Sequence, residues 1–204
     1  MSNDLIIAPH ADDEVLGCGG ILGKNSFVYI CGVDESKMAV GEVSSSERIG
    51  EIKEVAQFLG FEWDCNKQGK VNFYDEHDFI AIFENLVNKL KPQRVFLPCP
   101  DYNQDHRAIY NAAYIALRPH DKNFFVKKVL LYETSHNAVW NRRPLNLNYF
   151  VPIDIERKIN AYLLYKTEVR AMRSPEMIKN IARVRGNAIK EDYAEAFEIL
   201  RWVE

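Results

Sequence analysis

Short, uniformly apolar runs alternate along this chain with longer stretches in which apolar residues return every three or four positions. Leu5–Ala8, Phe27–Val33, Arg94–Leu97 and Val126–Leu131 are too short for helices and read as strands covered on both faces. Between them the helical period takes over. Ile49, Ile52, Val55, Ala56 and Leu59 form one stripe, with Ser44 or Ser45 as its cap and Gly60 at its end. Asp78–Leu90 carries a second, broken by Lys91-Pro92-Gln93. A third follows Asp105, the expected N-cap, through Ile109, Ala112 and Ala116. Further helices are expected over Ile155–Glu168, from Ser174-Pro175 onward, and over Ala194–Trp202. Val15–Leu22 would begin a helix, but Gly17, Gly19, Gly20 and Gly23 weaken it. Cys65–Asp75 reads as a connection containing a strand, Glu35–Ser46 as a loop over the strand tips, and Asn141–Pro152 as an irregular lid or crossing segment. Strands alternating with helices predict an α/β fold with a mostly parallel sheet flanked by helices.

Length and composition narrow the field. At 204 residues, 47% of them hydrophobic, the chain can bury a sizeable core and is expected to form a single domain over 1–204. A net charge of -3 with both signs mixed disfavours nucleic acid and anionic membrane as partners and favours small molecules. Cys18, Cys31, Cys65 and Cys99 show no C-x-x-C pair, so they read as reduced thiols. No apolar run approaches a membrane span and the N-terminus lacks signal-peptide character, which together predict a cytoplasmic protein.

The chemistry gathers at strand tips, where open α/β sheets bind ligands. After the first strand come His10, Asp12, Asp13 and Glu14; a turn there can aim His10 and Asp13 at one point, since imidazole and carboxylate both ligate zinc. Asp12, left free, is suited to take a proton from water. A plainer reading makes the three carboxylates the first turn of a helix, complementing its dipole. The glycines that follow suggest a dinucleotide loop, with Asp34 as the acidic residue, but the third glycine position of G-x-G-x-x-G is Leu22. The second tip decides between them. His106 beside Asp105 would complete a two-His, one-carboxylate set with an open position, the pattern of a catalytic metal. Tyr132, Glu133, Thr134, Ser135 and His136, with Trp140, end another strand and would line a substrate pocket. His77 reads as a polar residue at a helix start. Arg48 sits near a helix N-terminus, unfavourably for the dipole, so it points to a carboxylate or ligand partner, or to a solvated surface position.

Pro9-His10-Ala11-Asp12-Asp13-Glu14, Gly17-Cys18-Gly19-Gly20 and Asp105-His106 together resemble the LmbE-like (PIG-L) family of metal-dependent N-deacetylases. Arg48 with Glu51, Ala56, Leu59 and Gly60, the segment Lys158–Glu168, Arg185-Gly186 and Tyr193–Phe197 are similar to further motifs of that family. The resemblance implies a Rossmann-like three-layer fold. It also implies Zn2+, or Fe2+ or another divalent ion, on His10, Asp13 and His106, with Asp12 as general base and Arg48 in contact with substrate. The implied reaction removes an acyl group, usually acetyl, from an N-acylated amino sugar or its conjugate. Two positions depart from the family. Ala11 replaces the commoner proline, and Asn103 stands where many members carry a histidine that stabilises the oxyanion. Asn103 can donate a hydrogen bond but no proton at neutral pH, and with Arg48 and Glu133 it makes up the expected substrate-binding set. A metal-dependent hydrolase of another bond, such as a phosphoester, a non-catalytic metal- or sugar-binding module, and a homo-oligomer remain open. A phosphate clamp would need more cations than Arg107, the one adjacent to the tips.

Overall fold

A computed structural model of the chain describes residues 3–38, 42–135, 138, 140 and 144–204. Seven strands form one sheet: β1 (Asp4–Ala8), β2 (Ser26–Ile30), β3 (Glu62–Cys65), β4 (Arg94–Pro98), β5 (Lys128–Tyr132), β6 (Tyr149–Pro152) and β7 (Ala194–Trp202), in the order β3-β2-β1-β4-β5-β7-β6. β3 to β5 run parallel; β7 lies antiparallel to both β5 and β6. The helices include α1 (Asp13–Cys18), α2 (Ser45–Leu59), α3 (Glu76–Leu90), α4 (Gln104–Ala116), α5 (Ile155–Tyr162) and α6 (Pro175–Asn187), with a 3-10 turn over Ala171–Arg173.

The sheet is buried on both faces, which is why its parallel strands are continuously apolar. Ile6, Ala8, Val28, Ile30, Phe96, Leu130 and Phe197 pack under α1, α2, α5 and α6. The alternate residues Leu5, Ile7, Val95, Leu97 and Leu131 pack against α3 and α4. Two helical layers thus sandwich the sheet, the expected α/β architecture. The strand order reverses between β1 and β4: the chain leaves β1 for β2 on one side and reaches β4 on the other. In such sheets the crevice for a ligand opens at this switch point, beyond the carboxyl ends of the two strands.

Several boundaries differ from the sequence expectation. Ala194–Trp202 is a strand, not a helix. Alanine, glutamate and leucine favour helix locally, but propensity is a weak prior, and the segment completes the sheet between β5 and β6. The segment taken as irregular ends in β6, an edge strand in which Pro152 needs no ladder donor. α5 stops at Tyr162 instead of running to Glu168, so Thr167 and Glu168 lie in a turn facing α2. α1 is only six residues long, its glycines limiting it as expected. The strand expected within Cys65–Asp75 lies before it, as β3. Ser44, Gly60 and Ser174 cap as read. Among the described residues no helix is long and apolar enough to cross a membrane.

Candidate metal centre

The turn from β1 into α1 is bound at Pro9, His10 and Asp12. Pro9 offers its carbonyl to the Tyr74 hydroxyl at 2.9 Å, and the His10 amide donates to Asp13 Oδ2 at 3.0 Å. Asp12 stands at φ 119°, a backbone region costly for any residue with a Cβ. Its amide donates to Glu14 Oε2 at 3.1 Å while its carbonyl accepts from Val15 and Leu16. Such strain persists only where the surroundings hold it, and the Asp12 side chain makes no cap bond to the helix it precedes. Glu14 is turned inward, fully buried, its other oxygen accepting from the Tyr165 hydroxyl at 2.5 Å. It braces the turn and does not join the ligand cluster.

β4 ends beside β1 and delivers the other half. His10 Nδ1 and His106 Nε2 each lie 3.2 Å from Asp13 Oδ2. The three ligand atoms fall within 4.8 Å of one another, and no other such cluster occurs among the described residues. Behind each ring stands a further carboxylate. Asp105 Oδ2 meets His10 Nε2 at 2.9 Å and Asp101 Oδ2 meets His106 Nδ1 at 3.0 Å. Metal-ligating histidines are ordinarily oriented in this way, one nitrogen to the ion and the other to a carboxylate. Two imidazole nitrogens and one carboxylate oxygen converging on one point therefore fit a divalent cation.

The electrostatics follow from burial among carboxylates. Burial pulls His10 down, but hydrogen bonds that its ring donates to Asp105 and Asp13 outweigh it and lift it to about 9. Burial likewise lowers His106, and Asp13 with Asp101 raises it to about 10. Burial would push Asp13 up, yet the two imidazoles hold it well below the usual carboxylate range.

Asp105 does not cap α4; Asn103 does, its Oδ1 accepting from the Asp105 amide at 2.8 Å. Asp105, one residue into the helix and fully buried, also accepts from the Asn72 amide at 2.6 Å. It thereby ties the loop before α3 to His10. Replacing Asp105 by Asn is expected to weaken zinc affinity roughly 10–100-fold, read by competition with a chromophoric chelator.

Beside the cluster opens a cavity of about 130 Å³ whose lining includes His10, Asp12, Asn103, Arg48, Glu168 and Arg173. Arg173 Nη1 donates to Asp12 Oδ2 at 2.5 Å and reaches Glu168 Oε2 at 2.9 Å. Burial pushes Asp12 up, and the Arg173 guanidinium pulls it back toward the ionised form. Arg48 lines the cavity yet is only 2% exposed. Its Nε and Nη2 donate to Glu35, Nη2 also to Glu168, and Nη1 to Glu51 and Thr167. All five of its N–H groups are thus taken by the protein itself.

The structure brings His10, Asp12, Asp13, His106, Asn103 and Arg48 to one place. Glu133 is elsewhere: both its oxygens bind Arg185, and it lines a separate cavity with Lys158 and Glu195. His136 lies outside the described residues. Trp140 is exposed and lies against Tyr102, the ring centroids 4.8 Å apart and the planes tilted by 33°. His77 is exposed at the start of α3, bonded to Asp75. Sequence reasoning missed Asp101, Glu168 and Arg173 and misassigned Asp105. Asp101 in the loop and Asp105 in the first turn of α4 lie close to His106 in sequence and were within reach of the same strand-tip argument; Glu168 and Arg173 carry no local signal.

A profile of the family described as GlcNAc-PI de-N-acetylase matches residues 5–117. YaiS, an uncharacterised deacetylase of Escherichia coli strain K12, is 28% identical over 144 residues, 64% of this chain and 72% of that one. The N,N'-diacetylchitobiose deacetylase of Pyrococcus horikoshii superposes with a TM-score of 0.73 at 20% identity, over 97% of this chain and 83% of its own. GalB, the 4-carboxy-2-hydroxymuconate hydratase of Pseudomonas putida KT2440, reaches 0.78 at 17% identity, over 100% and 99%. At such identities the solved structures establish the Rossmann-like fold alone, and the hydratase illustrates that one fold carries more than one reaction.

Proposed function

The chain belongs to the PIG-L family of deacetylases, and from that premise we propose that it hydrolyses the N-acyl group, acetyl first of all, of an amino sugar or amino-sugar conjugate. In this reading His10, Asp13 and His106 hold a divalent cation and Asp12 is the general base. The supporting observation is the convergence of two imidazoles on the Asp13 carboxylate, each ring backed by a further aspartate, with Asp12 outside the ligand set but in the same cavity. Zinc suits two nitrogens and one oxygen, and iron(II) is compatible with the same donors.

When bound, such an ion polarises an acyl carbonyl and lowers the pKa of water. The protein must then move one proton. Asp12 accepts it from the attacking water and returns it to the amine nitrogen as the C–N bond breaks. Asn103 has its Oδ1 committed to the Asp105 amide, which leaves its Nδ2 as the donor available to the substrate. Because Asn103 supplies no proton, the return step also falls to Asp12. The phosphoester reading loses Arg107, the cation the sequence placed beside the strand tips, because it donates to the Asp101 carbonyl at 2.7 Å.

The test is free-amine release from N-acetylhexosamines and their nucleotide-linked forms, alongside metal analysis. A chelator is expected to abolish release, and zinc or iron(II) to restore it. Metal-loaded protein that releases no amine from any member of the panel overturns the proposal and favours a binding module.

A further inference from the structure

Among the cations lining the cavity, Arg48 has no donor to spare, whereas Arg173 has three. Its Nη1 is shared between Asp12 and Glu168, but Nε and Nη2 meet no acceptor among the described residues. A guanidinium carries five N–H groups, and since Glu195 Oε2 is the one fully buried side-chain polar atom without a partner among the described residues, the unmet N–H groups of Arg173 are open to water or a ligand. The side chain is 18% exposed and lines the cavity of the metal centre. It is also held rigidly. Glu168 fixes Arg173 from behind and is itself fixed by Arg48, whose roots lie in α2. Two carboxylates pulling on one nitrogen leave the opposite edge of the guanidinium free.

Asp12 does not need Arg173 to keep its strained backbone, because Glu14, Val15 and Leu16 already bind that peptide on both sides. The ion pair therefore has a use beyond the turn. Resting on Asp12 as general base, we propose that Arg173 is a further catalytic residue, whose free N–H edge donates hydrogen bonds to the acyl oxygen as negative charge builds on it. Water oxygen bonds to the acyl carbon, the carbonyl π pair moves onto the acyl oxygen, and Asp12 takes the proton. As the pair returns, the C–N bond breaks and the nitrogen receives that proton. Arg173 neither gains nor loses one. Fixed donors aimed at developing charge in a partly dry site need no reorganisation during reaction.

The experiment compares metal-loaded wild type with Arg173→Ala, Arg173→Met and Arg173→Lys. The Ala and Met variants are expected to lose roughly 10²-fold or more in kcat, with smaller changes in KM. Their metal content is expected to stay near wild type while the thermal midpoint falls, because Asp12 and Glu168 lose a shared cation, and Arg173→Lys, which keeps the charge without the fork, is expected to fall between in both rate and midpoint. Millimolar guanidinium ion is expected to restore part of the Arg173→Ala rate. A second arm uses acetate, a carboxylate of the product class, titrated calorimetrically into each metal-loaded protein without turnover. Wild type is expected to bind it at least about tenfold more tightly than Arg173→Met. Equal acetate affinity, or no acetate binding by wild type, overturns the inference and leaves Arg173 as a brace for Asp12; so does a kcat within about threefold of wild type. Wild type that binds acetate in an Arg173-dependent way yet hydrolyses no N-acetyl sugar indicts the substrate reading instead.

Discussion

Asp12→Asn is expected to retain the metal and lose kcat by roughly 10²–10⁴-fold, the range that positioned acid–base groups contribute. The substitution is nearly isosteric, and its amide oxygen can still accept from Arg173, so the ion pair becomes a hydrogen bond and the cavity keeps its shape. The ligand set is untouched, because His10, Asp13 and His106 are held by Asp101, Asp105 and the turn itself. What disappears is the ability to bind and release a proton. KM should change little, since the lost interaction belongs to the transition state. Metal analysis and turnover on the same preparation decide the matter, and near-normal turnover with a full complement of metal would remove Asp12 from the mechanism.

Arg48→Met is expected to act on the fold before it acts on the reaction. Arg48 is buried among Glu35, Glu51 and Glu168, and Met leaves three buried carboxylates without the cation they share. Removing one partner of a buried ion pair costs roughly 3–5 kcal/mol, a large part of the stability of an ordinary domain. Arg48→Lys keeps the charge but offers three donors for five acceptor contacts, so its unfolding midpoint should lie between the two. Urea unfolding reads the order wild type, Lys, Met. Variants that unfold like wild type and raise only KM would instead establish Arg48 as a substrate contact with replaceable internal bonds.

The parallel strands were legible because both faces are buried. A residue on either side of the pleat is then apolar, and Leu5–Ala8 or Arg94–Leu97 stand out as runs. β7 was not legible for the opposite reason. Its buried run is interrupted by Glu195 and Glu198, and Glu195 is kept inside by Lys158 Nζ at 2.7 Å, a partner on α5. Read locally, Ala-Glu-Ala-Phe-Glu-Ile-Leu has the composition of a helix; only the distant lysine and the two flanking strands make it a strand.

The proposed metal ligands His10, Asp13 and His106 were readable for a different reason. They sit at strand ends, and two strand ends that are neighbours across a switch point must open on one crevice. The cations around Asp12 had no such cue. Arg173 is 161 positions from its partner, on a single 3-10 turn with no periodic pattern.

By itself the sequence determined the apolar runs that become buried parallel strands, the caps of α2 and α6, and the imidazole and carboxylate groups that leave β1 and β4. These depend on local sterics and on the period of the backbone. Only the tertiary structure decided which carboxylate backs each imidazole, that Arg48 is consumed by three glutamates, and that Arg173 rests on Asp12. Those pairings join residues far apart in the chain, and burial selects them, because a charge taken from water must find its partner wherever the packed layers bring one.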